Sequence, residues 1–161
     1  MDNFTEQFQQ TVARLADVGQ MKGLFHQHRH GDPLPSTPAL QEIIDLCRGV
    51  LFPGYYGRST INRDTVKYGI GVDMERLYNL LVEQIEAGLC FCSDRTHHDC
   101  CDGDLHEHAR DIAQRVVLRL PEVRDVLATD VEAAYLGDPA AQNWGEVISC
   151  YPAIKALTIY R

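Results

Sequence analysis

The feature that most constrains this chain is its hydrophobic period. Apolar residues recur three and four apart through nearly the whole sequence, and no stretch sustains the two-residue alternation of a half-buried strand. Phe4, Phe8, Val12 and Leu15 share one face of a first helix, which Gly19 and Gly23 then interrupt. Gln27 to Pro35 reads as a loop. Thr37 followed by Pro38 reads as a helix start, with Leu40, Ile43, Ile44, Cys47 and Leu51 on one face. Phe52-Pro53-Gly54-Tyr55-Tyr56-Gly57 stops that helix. Asp73 is the expected cap of the next, whose stripe is Leu77, Leu80, Leu81 and Ile85 and whose C-terminal cap is Gly88. Ala109, Ile112, Ala113, Val116 and Val117 predict a helix running to about Leu120. Pro121 is read as its end, and a separate helix follows on Val123, Val126, Leu127, Val131 and Ala134. Gly137 closes it, Asp138-Pro139-Ala140-Ala141 begins another turn, and Pro152 to Arg161 is apolar and helical. Ile70-Gly71-Val72 is too short to make a sheet. The expected fold is all-α, a bundle of about six helices in one domain, residues 1–161.

Charge and composition narrow the function classes. The formal net charge of −8 repels phosphate backbones and anionic membrane surfaces, so neither nucleic acid nor membrane is an expected partner. No run approaches the roughly 18 apolar residues of a membrane span. The start Met1-Asp2-Asn3-Phe4-Thr5-Glu6 lacks the basic-then-apolar order of a signal peptide, so the expected location is cytoplasmic, with reduced cysteines.

Four of the six cysteines, Cys90, Cys92, Cys100 and Cys101, crowd into twelve residues, with His97, His98, His106 and His108 nearby. Thiolates and imidazoles can hold tetrahedral zinc, but there is no Cys-x-x-Cys pair and adjacent cysteines rarely ligate one ion. The four cysteines stand as metal candidates, with reduced loop cysteines as the expected reading and no cofactor assigned. His26, His28 and His30 alternate in the Gly/Pro-rich loop and read as solvated. The paired tyrosines of the Phe-Pro-Gly-Tyr-Tyr-Gly element read as an aromatic-packed turn, and Trp144 as a packing residue. Asp138, between Gly137 and Pro139, reads from the residues alone as a helix cap. Asp130 reads as a solvent-facing or ion-paired residue outside any site.

Two stretches carry a family resemblance. One is Leu46-Cys47-Arg48-Gly49-Val50-Leu51 running into Phe52-Pro53-Gly54-Tyr55-Tyr56-Gly57. The other is Ala128-Thr129-Asp130-Val131-Glu132-Ala133-Ala134-Tyr135-Leu136-Gly137-Asp138-Pro139-Ala140-Ala141, continued by Ser149-Cys150-Tyr151-Pro152 and ending in Tyr160-Arg161. Together they resemble the N-terminal helical region of serine O-acetyltransferases, in the long form with the Phe-Pro-Gly-Tyr element. The resemblance implies transfer of acetyl from acetyl-CoA, the co-substrate, to L-serine, giving O-acetylserine in cysteine biosynthesis. It implies that the catalytic histidines and the acetyl-CoA site lie in a left-handed β-helix of hexapeptide repeats beyond Arg161, so no catalytic residue is expected in this chain. It also implies homo-oligomers, with trimers joined to hexamers through the helical regions. It gives Asp138 a second role, binding the ammonium of serine. The apolar helix that stops at Tyr160-Arg161 without a polar tail predicts a chain cut before that domain. The rival expectation is a stand-alone helical assembly or binding module, with zinc and without catalysis.

Overall fold

The computed structural model describes residues 2–25, 33–57, 60–92 and 103–160. Among the described residues there are six α-helices and no strand, so the all-α expectation holds. No helix among them is long and apolar enough to cross a membrane. The helices are α1 (Asp2–Leu15), α2 (Thr37–Leu51), α3 (Val66–Cys92), α4 (Gly103–Gly137), α5 (Trp144–Cys150) and α6 (Pro152–Tyr160).

The chain divides into two compact units, residues 1–32 and 33–161. In the first, α1 carries the expected apolar stripe, with Phe4 and Phe8 rings 6.2 Å apart and Phe4, Phe8, Val12 and Leu15 all exposed. A 3-10 turn at Val18–Gln20 follows. Asp17 caps it by accepting from the Gly19 N–H, and Lys22 and Gly23 follow at left-handed φ values of +46° and +89°.

In the second unit, α2 to α6 enclose one core. Val50, Leu51 and Phe52 from the end of α2 meet Leu77 of α3, Leu120, Leu127 and Val131 of α4, Val147 and Ile148 of α5, and Ile154 of α6. Ala109 and Ala113 are fully buried against Val82, and their small side chains let α4 approach α3 closely. Gln84 of α3 accepts the Ser36 N–H at 2.7 Å, and Arg76 grips Glu42 through two N–H donors, so α2 is tied to α3 at both levels.

Four boundaries differ from the sequence reading, each for a local reason. Ser36, not Thr37, caps α2, its hydroxyl accepting from the Ala39 N–H, which leaves Thr37 and Pro38 as the first helical positions. Asn62 starts the third helix earlier than Asp73 would: its side-chain oxygen accepts from the Asp64 and Thr65 N–H groups at 3.0 Å, and Asp73 lies inside α3. Gly88 is also inside α3, where buried Ala87 and Cys90 on either side keep the backbone packed past it. The largest difference is Pro121, which lies within a continuous 35-residue α4. A proline there removes the hydrogen bond to the Val117 carbonyl. Leu120 before it and Leu127 and Val131 after it all belong to the same core, so burial on both sides holds the two halves of α4 in line.

Pro121 is exposed, so shortening it opens no cavity. Pro121→Ala is expected to raise stability by about 1–3 kcal/mol, because alanine restores the bond and removes the ring clash, offset in part by a freer unfolded chain. An upward shift of the urea midpoint with an unchanged slope is the expected result. A downward shift would mean that the proline shapes the packing of α4.

Candidate functional site

The α4–α5 connection is where polar side chains are organised. Gly137 ends α4, and Asp138 turns the chain back: the Ala141 N–H donates to the Asp138 carbonyl and the Ala140 N–H donates to Asp138 Oδ1 at 2.9 Å. This is an Asx turn, in which a short carboxylate mimics a backbone acceptor. No helix begins at Pro139, so Asp138 organises a turn and is not a helix cap. The cap of α5 is Asn143, whose side chain accepts from the Glu146 N–H at 2.9 Å, while Glu146 reaches back to the Gln142 N–H at 2.9 Å. That reciprocal pairing is close to a capping box. Asn143-x-x-Glu146 is a local sequence signal for it that apolar periodicity does not register.

Helix α5 spans only seven residues and is held by burial of Val147 and Ile148. Trp144, its first residue, is 41 % exposed, because the inward face belongs to those two; it is not the packing residue expected. Tyr151 follows as the C-terminal cap, its N–H donating to the Val147 carbonyl, and Pro152 opens α6. This places the Tyr151 phenol over the preceding turn, where it donates to Asp138 Oδ2 at 2.5 Å.

The Phe52–Gly57 element singled out in the sequence packs against α5. After α2, Gly54 and Gly57 adopt left-handed φ values of +86° and +82°, a conformation that favours glycine. Their turn lays Gly57 against Gly49 of α2. Tyr56 is packed as the sequence reading expects, edge-on to Phe52 and beneath the Arg48 guanidinium at 4.0 Å. Its hydroxyl donates to the Ile148 carbonyl at 2.6 Å, across 92 residues of sequence. The Tyr55 ring lies against Gly145, where a Cβ would come within 3.1 Å of Cε1. Arg124 of α4 donates to the Val50 carbonyl and so satisfies one of the last acceptors of α2. Phe-Pro-Gly-Tyr-Tyr-Gly is thus a brace for α5.

Electrostatics follow from this geometry. The Tyr151 hydroxyl, and then the Ala140 N–H, hold the Asp138 carboxyl below its ordinary value. The same bond to Asp138 pushes Tyr151 up to about 12. Whatever stability Asp138 adds is complete above the ordinary carboxylate pKa and fades as pH falls through its lowered value. The Tyr151 contribution is complete below the ordinary tyrosine pKa and fades as pH rises through about 12. Between those limits the pair is a carboxylate facing a neutral phenol.

Among the described residues, the cysteine-rich stretch shows no such cluster. Cys90 is buried in α3 and Cys92 is the last residue of that helix, while Cys100, Cys101, His97 and His98 lie outside the described residues, as do His26, His28 and His30. His106 of α4 faces Glu86 of α3 with Nδ1 2.8 Å from Oε2. Among the described residues no three metal-ligating side chains come together.

No protein-family model matches the chain. A curated protein from Synechococcus elongatus described as "Serine acetyltransferase, plasmid" is 40% identical to it over 131 residues, which is 80% of this chain and 41% of that protein. The chain therefore spans about two fifths of the length of this relative.

Proposed function

Since the chain is a relative of the serine acetyltransferases along four fifths of its length, we propose that it forms the helical region of a serine O-acetyltransferase. In this reading the enzyme passes acetyl from acetyl-CoA to the hydroxyl of L-serine in cysteine biosynthesis, and the helical region supplies subunit assembly and one wall of the serine pocket. The observation that carries the reading is the similarity itself. Supporting it, Tyr56 of the first resembling stretch bonds Ile148 in α5, and Tyr151, just after α5, bonds Asp138 of the second.

The chemistry asks for a residue of this kind. The serine oxygen forms a bond to the acetyl carbon, the carbon–sulfur bond breaks, and the hydroxyl proton leaves through a general base to the departing thiolate. A hydroxyl is a weak nucleophile at neutral pH, so that base must be a histidine or its equivalent, supplied outside these helices. The Asp138 carboxylate holds the serine ammonium by a charge-assisted hydrogen bond and so aims the hydroxyl. Oligomer assembly is supported by the open apolar face of α1, where Phe4 and Leu15 are both more than 70% exposed. A cytoplasmic location belongs to the same reading.

Thiol release from acetyl-CoA by the full-length gene product, with and without L-serine, tests the proposal. Serine-dependent release of CoA with an equal yield of O-acetylserine is expected, while residues 1–161 by themselves stay at the buffer blank. Release that ignores serine, or none from the full-length protein, overturns the reading and leaves an assembly module without catalysis.

A further inference from the structure

An Asx turn is complete with one hydrogen bond, from the backbone N–H two residues on. At Asp138 that bond is the Ala140 N–H on Oδ1, and the turn needs nothing more. Yet Oδ2 is engaged as well, by a phenol 13 residues away in sequence that reaches back over α5. A carboxylate held at one oxygen still swings about its terminal torsion, whose preference is broad. A carboxylate held at both oxygens does not.

The mount of that phenol is itself rigid. The Tyr151 N–H is bound by the Val147 carbonyl, and its own carbonyl accepts from the Lys155 N–H. Ile148 on one side and Ile154 on the other are buried in the core. Tyr56 holds the carbonyl of Ile148. The phenol is therefore aimed by two helices and by the brace after α2.

We infer that Tyr151 is a positioning residue: with the Ala140 N–H it fixes the plane of the Asp138 carboxylate so that its remaining lone pairs face an incoming ammonium. The inference rests on the serine-binding reading of Asp138 proposed above. A carboxylate offers about four acceptor positions, so two donors leave room for the N–H groups of an amino acid. The phenol keeps its proton at any physiological pH, which makes it a constant donor, and its bond keeps Asp138 anionic.

Tyr151→Phe keeps the ring and removes the donor. In the full-length enzyme it is expected to lower kcat/KM for L-serine about tenfold, the size expected for one hydrogen bond to a charged group. KM for acetyl-CoA should stay within about twofold, since no acetyl-CoA group meets this residue in the proposed reading. The acid limb of the serine kcat/KM profile should move to higher pH, because Asp138 loses the donor that depresses its pKa. A residue that merely packed would leave that limb in place.

A second measurement uses residues 1–161 directly. Alkaline absorbance titration should show one phenol ionising near 12, and Asp138→Ala should return it to the range of ordinary tyrosines. If no phenol is displaced, the inference falls whatever the kinetics. If Asp138→Asn impairs serine use while Tyr151→Phe matches wild type, the positioning role falls and the serine reading stands. If Asp138→Asn also leaves serine kinetics unchanged, both fall together.

Discussion

On the serine-binding role proposed for Asp138, Asp138→Asn in the full-length protein should lower kcat/KM for L-serine about ten- to a hundredfold, with the acetyl-CoA dependence nearly unchanged. Asparagine keeps the size and shape of the side chain, and its one carbonyl oxygen can still accept the Ala140 N–H that makes the turn. It cannot offer a second acceptor oxygen to Tyr151, and it carries no charge for an ammonium. Removing a charged hydrogen-bond partner costs about 1.5–3 kcal/mol. At roughly 1.36 kcal/mol per factor of ten, that corresponds to the expected range. The alternative, in which Asp138 only shapes a turn, predicts a different pattern. Asp138→Ala would then lower the melting temperature by losing the turn hydrogen bond, Asp138→Asn would be close to neutral, and serine kinetics would be intact in both. Kinetics and melting move in opposite columns, so one pair of variants separates the readings.

Leu127→Ala should have the largest effect on stability, about 3–5 kcal/mol. Leu127 has no exposed surface and sits in the C-terminal half of α4 among core residues from α2, α3, α5 and α6. Truncation removes its transfer free energy and leaves a cavity that five helices cannot all close upon. Total stability of a domain this size is about 5–15 kcal/mol, so the variant should approach unfolding well below the wild-type midpoint. Leu136, 75% exposed on the same helix, is the control: Leu136→Ala should stay within about 0.5 kcal/mol. A Leu127→Ala loss below about 1 kcal/mol would contradict a single core shared by α2 to α6.

What the sequence revealed and what it hid divide along a physical line. Periodicity located the inward faces well where burial is complete, as at Leu77, Ala109, Ala113, Leu127 and Val131. It over-read positions at the edge of a stripe: Leu40, Val116 and Val126 are exposed, because a stripe of apolar residues is wider than the surface that covers it. Local breakers misled wherever tertiary packing outweighed them, at Gly88 in α3 and most of all at Pro121 in α4. Asp138 could be singled out by its neighbours Gly137 and Pro139, but its turn geometry could not. Nothing near Asp138 in sequence announces Tyr151, and nothing near Tyr56 announces Ile148. Those contacts depend on how α2, α4, α5 and α6 close around one core, which is information spread over the chain and not local to any motif.

The contact between Tyr55 and Gly145 ties two distant codons to one another. A methyl group at 145 would stand 3.1 Å from the Tyr55 ring and 3.0 Å from the oxygen of the Asn143 cap, so any larger residue requires at least one of them to yield. Variation at 145 is therefore conditional on variation at 55. A small side chain at 55 relieves one of the two contacts, while the Asn143 cap oxygen at 3.0 Å still resists any side chain at 145. Taken in the other order, a side chain at 145 meets both neighbours, and each must give by a few tenths of an ångström. Related sequences should accordingly record the pair as a correlated exchange, with glycine retained at 145 wherever the aromatic ring is retained at 55.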